Sequence, residues 1–151
     1  MTITLQFAQG TDGTSLAIQW FSQGPWSHVD SVLDDGTLLG ARLEGGVAIR
    51  PSTYLGAEKV GRITIPATDE QTAEYYRFIA SQVGKLYDTT GIIGFVADRN
   101  WRTPDSWFCS ELVAAGLEQC GFFQYPLYVP ANKITPSGLP LLLSTLMPVA
   151  L

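Results

Sequence analysis

Histidine is almost missing from this chain of 151 residues: His28 is the only one. A zinc site would therefore have to rely on Cys109 and Cys120, which lie eleven residues apart with none of the short ligand spacings of zinc modules. No metal and no cofactor is expected. Lysine and arginine are scarce, nine against fourteen acidic residues for a formal charge of −5. No basic cluster interrupts that acidity, so neither nucleic acid nor an anionic membrane is the expected partner. Long hydrophobic runs are missing too. The apolar tail from Leu139 to Leu151 is short and broken by Pro140 and Pro148, so no integral membrane segment is expected. The first residues, Met1 to Phe7, alternate like a strand and lack the charged leader and apolar core of a secretory signal, which predicts a protein that is cytoplasmic as made. The G-x-S-x-G elbow of serine hydrolases does not occur.

What is present is apolar residues, 46% of the chain, enough for one domain over residues 1–151. Strand patterns run over Met1 to Phe7, Trp26 to Leu33, Leu38 to Leu43, Val47 to Pro51 and Val60 to Pro66. Asp34-Asp35-Gly36-Thr37 carries the Asp-Gly signal of a tight hairpin. A short helix is predicted over Ser15 to Phe21, opened by Thr14 or Ser15. Thr68-Asp69-Glu70-Gln71 has the capping-box pattern, and Gly84 closes the helix it starts. Lys85 to Arg102 reads as a connector, and Thr135-Pro136-Ser137 opens a last apolar helix near Leu139 to Leu146. The layout is α+β, an antiparallel sheet packed against helices, with strands mostly in the first half.

The run from Trp107 to Gly121 reads as a helix capped from Pro104-Asp105-Ser106, with Cys109 in its first turn. There the unpaired N–H groups and the macrodipole favour negative charge, and hence the thiolate form of a cysteine. Cys109, Val113, Gly116 and Cys120 share one face, while Glu111 and Glu118 point elsewhere. Taken alone, Cys109 reads first as the opening core residue of an amphipathic helix. At 1.5 Å rise per residue the two thiols stand about 16 Å apart, too far for a disulfide, which fits a reducing compartment. His28 shares a strand face with Asp30 and Val32. A two-residue turn at Asp35-Gly36 would set these opposite Leu43, Ala41 and Leu39, an apolar surface for a helix. A thiol resting on a sheet that presents an imidazole is what a cysteine nucleophile requires.

These segments resemble the circularly permuted papain-like, NlpC-type cysteine hydrolases, nearest their YiiX-like branch. The resemblance lies in Trp26-Ser27-His28-Val29-Asp30, Gly45-Gly46-Val47 with Arg50-Pro51, Gly84-Lys85-Leu86-Tyr87-Asp88, and Trp107-Phe108-Cys109-Ser110-Glu111-Leu112, and it spans about Thr2 to Leu146. It implies a permuted papain-like fold in which the histidine strand precedes the cysteine helix. It also implies a thiol hydrolase, an amidase or peptidase, with Cys109 as nucleophile and His28 as its base and acid. Tyr87 becomes a substrate-side or oxyanion contact; its plainer reading is an aromatic that anchors the connector. The family commonly places a polar residue on the next strand to steady the imidazole, but that strand reads Leu38-Leu39-Gly40-Ala41-Arg42-Leu43-Glu44, and an arginine cannot accept the imidazole N–H. Asp30 is the substitute, with a backbone carbonyl or water as the other choices. Trp26, Trp107, Phe108 and Tyr87 are the expected cleft wall. The implied substrate is a peptide or small N-acyl amide, foremost a cell-wall muropeptide. The alternatives are an acyltransferase, or a non-catalytic binding module such as a virion-associated phage tail component assembling with other phage structural proteins.

Overall fold

The structure is a computed structural model that describes residues 1–56, 59–97 and 103–144. Its architecture is mixed α+β. Strands β1 (Thr2–Gln9), β2 (His28–Val32), β3 (Leu38–Arg42), β4 (Gly46–Arg50) and β5 (Lys59–Pro66) form one sheet in the order β4-β3-β2-β1-β5. Every neighbouring pair in it is antiparallel. The histidine strand is therefore the central one. Helix α1 (Gly13–Ser22) links β1 to β2, and α2 (Asp69–Ser81) follows β5. The predicted connector holds two elements, β6 (Leu86–Tyr87) and α3 (Thr89–Val96); its residues 98–102 lie outside the described residues. Then come β7 (Ser106–Trp107), α4 (Cys109–Gln119), a turn of 3₁₀-helix and α5 (Gly138–Ser144). Residues 145 and 146, expected to end the last helix, lie outside the described residues.

Local chemistry accounts for most of these boundaries. Thr68 Oγ1 accepts the Gln71 N–H while Gln71 Oε1 accepts the Thr68 N–H, the reciprocal cap that the sequence signals for α2. Helix α1 is opened by Asp12 rather than by Thr14 or Ser15. The Asp12 carboxylate accepts both the N–H and the hydroxyl of Ser15, so the serine becomes a partner of the cap. Asp88 does the same for α3 by accepting the Gly91 N–H at 3.0 Å. Thr135 opens α5, its hydroxyl taking the Gly138 N–H.

The hairpin differs from expectation by one residue. Leu33 pairs with Thr37, Gly36 N–H donates to Leu33 O, and Gly36 has φ +82°, which makes a three-residue loop, Asp34-Asp35-Gly36. A two-residue turn would need positive φ at Asp35 as well, and Asp35 instead accepts the Thr37 N–H and hydroxyl through its side chain. Val32 consequently pairs with Leu38 and Ser31 with Leu39, so the neighbour of Asp30 is Gly40 rather than Ala41. The helices pack on the other set of residues. Val29, Leu39 and Ala41 join the main core with Leu5, Phe7, Tyr75, Leu112 and Leu117, and Ser31 Oγ meets the Tyr75 hydroxyl at 2.6 Å.

Helices α2 and α4 touch closely at Gly116, where an added Cβ would stand 2.8 Å from Tyr75 Cε2 and 3.1 Å from Ile79 Cγ2. Tyr75 is fully buried and tied to Ser31, so its ring has little room to yield. Gly116→Ala is expected to lower stability by about 1–3 kcal/mol, because the clash outweighs the helix-propensity gain of about 1 kcal/mol. A thermal melt reads this as a Tm loss, and a Tm at or above the parent value would show that the interface has slack.

Candidate active site

Strand β7 runs parallel to β6, with Leu86 beside Ser106 and Tyr87 beside Trp107, and the chain turns from it straight into α4. Ser106 is therefore a strand residue, its hydroxyl bonded to Thr103 O, and Asp105 sits in the preceding turn. The helix cap is Phe108, which has no side-chain acceptor. Glu111 compensates from the third helical position by accepting the Phe108 N–H at 3.2 Å. Glu111 is 2% exposed, so it does not point away from the packed face. Nearly the whole circumference of α4 is buried, from Cys109 through Leu117. Cys109 is the first helical residue, and the first ladder bond runs from Leu112 N to Phe108 O. The N–H groups of Cys109 and Ser110 precede that ladder and point off the helix end beside the sulfur.

His28 opens β2, and its ring nitrogens have distinct surroundings. Nε2 lies 2.9 Å from Asp30 Oδ1 and 3.0 Å from the Tyr54 hydroxyl, which itself donates to Asp30 Oδ2 at 2.6 Å. The approach of Nε2 to Oδ1 is close but poorly directed, since among the described residues Oδ1 has no aligned hydrogen-bond donor; the attraction there is mainly charge on charge. Because Tyr54 spends its proton on Asp30, its oxygen accepts from Nε2–H, and Nδ1 is the nitrogen left for other work. Burial alone would lower the imidazole pKa. The Asp30 carboxylate, above all by its charge, and then Cys109 outweigh that and raise it to about 9. Asp30 is driven the other way: burial would raise its pKa, but His28, Tyr54 and Arg50 hold it below the usual carboxylate value. Cys109 and Asp30 thus both act on His28.

The register explains the missing polar residue on β3. A Cβ on Gly40 would stand 1.9 Å from Asp30 Oδ1, so the carboxylate occupies the space that a side chain at position 40 would fill. Tyr54, in the irregular segment after β4, carries no motif or periodicity, and sequence reasoning passes over it. Two guanidinium groups approach its ring, Arg42 at 5.2 Å and Arg50 at 5.5 Å from the ring centre. Arg50 is fixed in turn by the carbonyls of Gly40, Glu44, Gly46 and Ala48.

Two adjoining clefts, of about 370 and 230 Å³, share Asp12, Ser15, Ser27, His28 and Arg42 on their walls. Tyr87 lines the larger one. Burial, the charge of Cys109 and that of Asp88 raise its phenol pKa, while Arg42 opposes them. The other expected wall residues are elsewhere. Trp107 donates its indole N–H to Gln82 and packs edge-on against Phe78, and Phe108 is 1% exposed, so both are core. Trp26 packs on Phe7 and over Gly61. Cys109 itself is 1% exposed and lines neither cleft; His28 is the member of the pair that meets them. A separate cavity of about 890 Å³ lies among Leu33, Asp34, Asp69 and Tyr76. Cys120 is half-buried, its thiol pKa raised by burial.

Among the described residues no cluster of His, Cys, Asp and Glu could hold a metal ion, and no helix is long and apolar enough to cross a membrane. Compared with protein-family models and with curated proteins, the chain matches none.

Proposed function

We propose that the chain is a thiol hydrolase of the permuted papain-like kind that cleaves an amide through Cys109 and His28. The observation that carries this reading is the buried Asp30–His28–Cys109 grouping, in which both neighbours favour the imidazolium. An imidazolium beside the sulfur favours a thiolate, as does the start of a helix. The thiolate attacks the amide carbonyl, and the N–H groups of the first turn of α4 hold the oxyanion. His28 gives its proton to the leaving nitrogen, the C–N bond breaks and an acyl-enzyme remains. Water then attacks the thioester, His28 takes its proton, and the thiolate leaves as the carboxylic acid forms. A histidine strand central in an antiparallel sheet, preceding the cysteine helix in sequence, supports the permuted fold. A cell-wall peptide or small N-acyl amide is the substrate class this kinship suggests.

The burial of Cys109 favours a second reading, a binding or assembly module that keeps the fold and the buried pair without turnover. Alkylation by iodoacetamide separates the two, with Cys120 as the internal ordinary thiol. At pH 7 native Cys109 is expected to react at least about ten times faster than Cys120, as thiolate-forming cysteines do, and His28→Ala is expected to remove that advantage. Equal rates for the two thiols, unchanged by His28→Ala, would leave only the module.

A further inference from the structure

The contacts of Tyr54 go further than the pairing of Cys109 with His28. We propose that Tyr54 is a positioning residue: its hydroxyl, held between Asp30 Oδ2 and His28 Nε2, fixes the imidazole as the Nε2–H tautomer and so presents Nδ1 to Cys109. The role in turnover rests on the hydrolase reading, while the tautomer does not.

Three observations support it. The first is direction: Asp30 Oδ1 is near Nε2 but off its hydrogen-bonding line, so the carboxylate alone is a poor guide for the ring. The tyrosine oxygen supplies the aligned acceptor, and it can accept from His28 only because it donates to Asp30. The second is protonation. Burial and the Asp30 charge push the Tyr54 phenol well above its usual pKa, so it keeps the proton that Asp30 needs. The third is rigidity. Tyr54 lies in a segment without regular structure, yet Arg42 and Arg50 approach its ring, and Arg50 is locked to four carbonyls of the β3–β4 hairpin. A loop residue held by two charged groups at its ring gives the imidazole a fixed partner. Besides these arginines, the charged or titratable groups around the imidazole among the described residues are Asp30 on β2, Cys109 on α4, and Asp12, Glu44 and Tyr87 along the cleft walls.

His28 is the only histidine, so nitrogen-15 NMR of the imidazole reports it without assignment. Above about pH 9, where the ring becomes neutral, the wild type is expected to show the Nε2–H tautomer. Tyr54→Phe keeps the ring against the arginines and removes the hydroxyl. It is expected to shift the tautomer ratio towards Nδ1–H by about 5–10-fold, the size of one hydrogen bond, and to slow alkylation of Cys109 by a similar factor. A wild-type imidazole with its proton on Nδ1 overturns the proposal, and needs no variant to fold. So does an unchanged ratio in Tyr54→Phe. A shifted ratio with alkylation indifferent to His28→Ala would keep Tyr54 as the orienting group and remove the hydrolase.

Discussion

Cys109→Ala is expected to lower kcat/KM on a cell-wall peptide or a simple acyl amide by on the order of 10⁴-fold or more, and His28→Ala by nearly as much. The double variant is expected to be no worse than either single one, because nucleophile and base act as one unit and the second loss removes nothing that still works. Cys120→Ala serves as the control. Its thiol sits at the other end of α4, half-buried and bonded to Leu117 O, and its loss is expected to leave turnover unchanged. The substrates to compare are muropeptides and short N-acyl amides, assayed with and without an added amine. Transfer of the acyl group to that amine in preference to water would identify the protein as an acyltransferase using the same thioester. Hydrolysis that survives Cys109→Ala intact would end the nucleophile assignment.

Much of the secondary structure is legible from residue types and order, because the pattern around each element is local. Thr68 and Gln71 cap α2 through side chains three residues apart, whereas alternation along β2 does not say which face meets the helices: Val29 and Ser31 do, not the expected set of His28, Asp30 and Val32. What escapes local reading depends on a single residue of register or on contact across the fold. The Asp34-Asp35-Gly36 loop is one residue longer than a two-residue turn, which moves Gly40 under Asp30 and turns a missing polar residue into a fitted space. Trp107 and Phe108 look like cleft aromatics in sequence because they flank the cysteine. The β6–β7 pairing instead draws them into the core. Tyr54 has no neighbour in sequence that explains it. Its partners are 24 and 26 residues away, and only the folded hairpin brings Arg42 and Arg50 to its ring.

Asp30→Ala is expected to cost about 3–5 kcal/mol, because it leaves a buried imidazole and a tyrosine hydroxyl without the carboxylate both face. For a chain of this size that is a Tm loss on the order of 10 °C. The pH dependence carries the more specific signature. His28 has its pKa raised from 6.5 to about 9 on folding, so its contribution is complete below 6.5 and is lost as pH rises through about 9. Asp30 is lowered from 3.8, so its contribution holds above that value and is lost as pH falls through the lower, folded one. Measured in a Cys109→Ala background, stability is expected to fall as pH rises from 6.5 towards 9, though over a narrower span because Cys109 also raises His28. Adding Asp30→Ala is expected to abolish that fall, since burial then governs the imidazole and lowers its pKa instead. Gly40→Ala should do the same with Asp30 still in the chain, because a methyl 1.9 Å from Oδ1 forces the carboxylate off its seat. A fall between pH 6.5 and 9 that persists in both variants would mean that another group raises His28, and that Asp30 does not steady the candidate base.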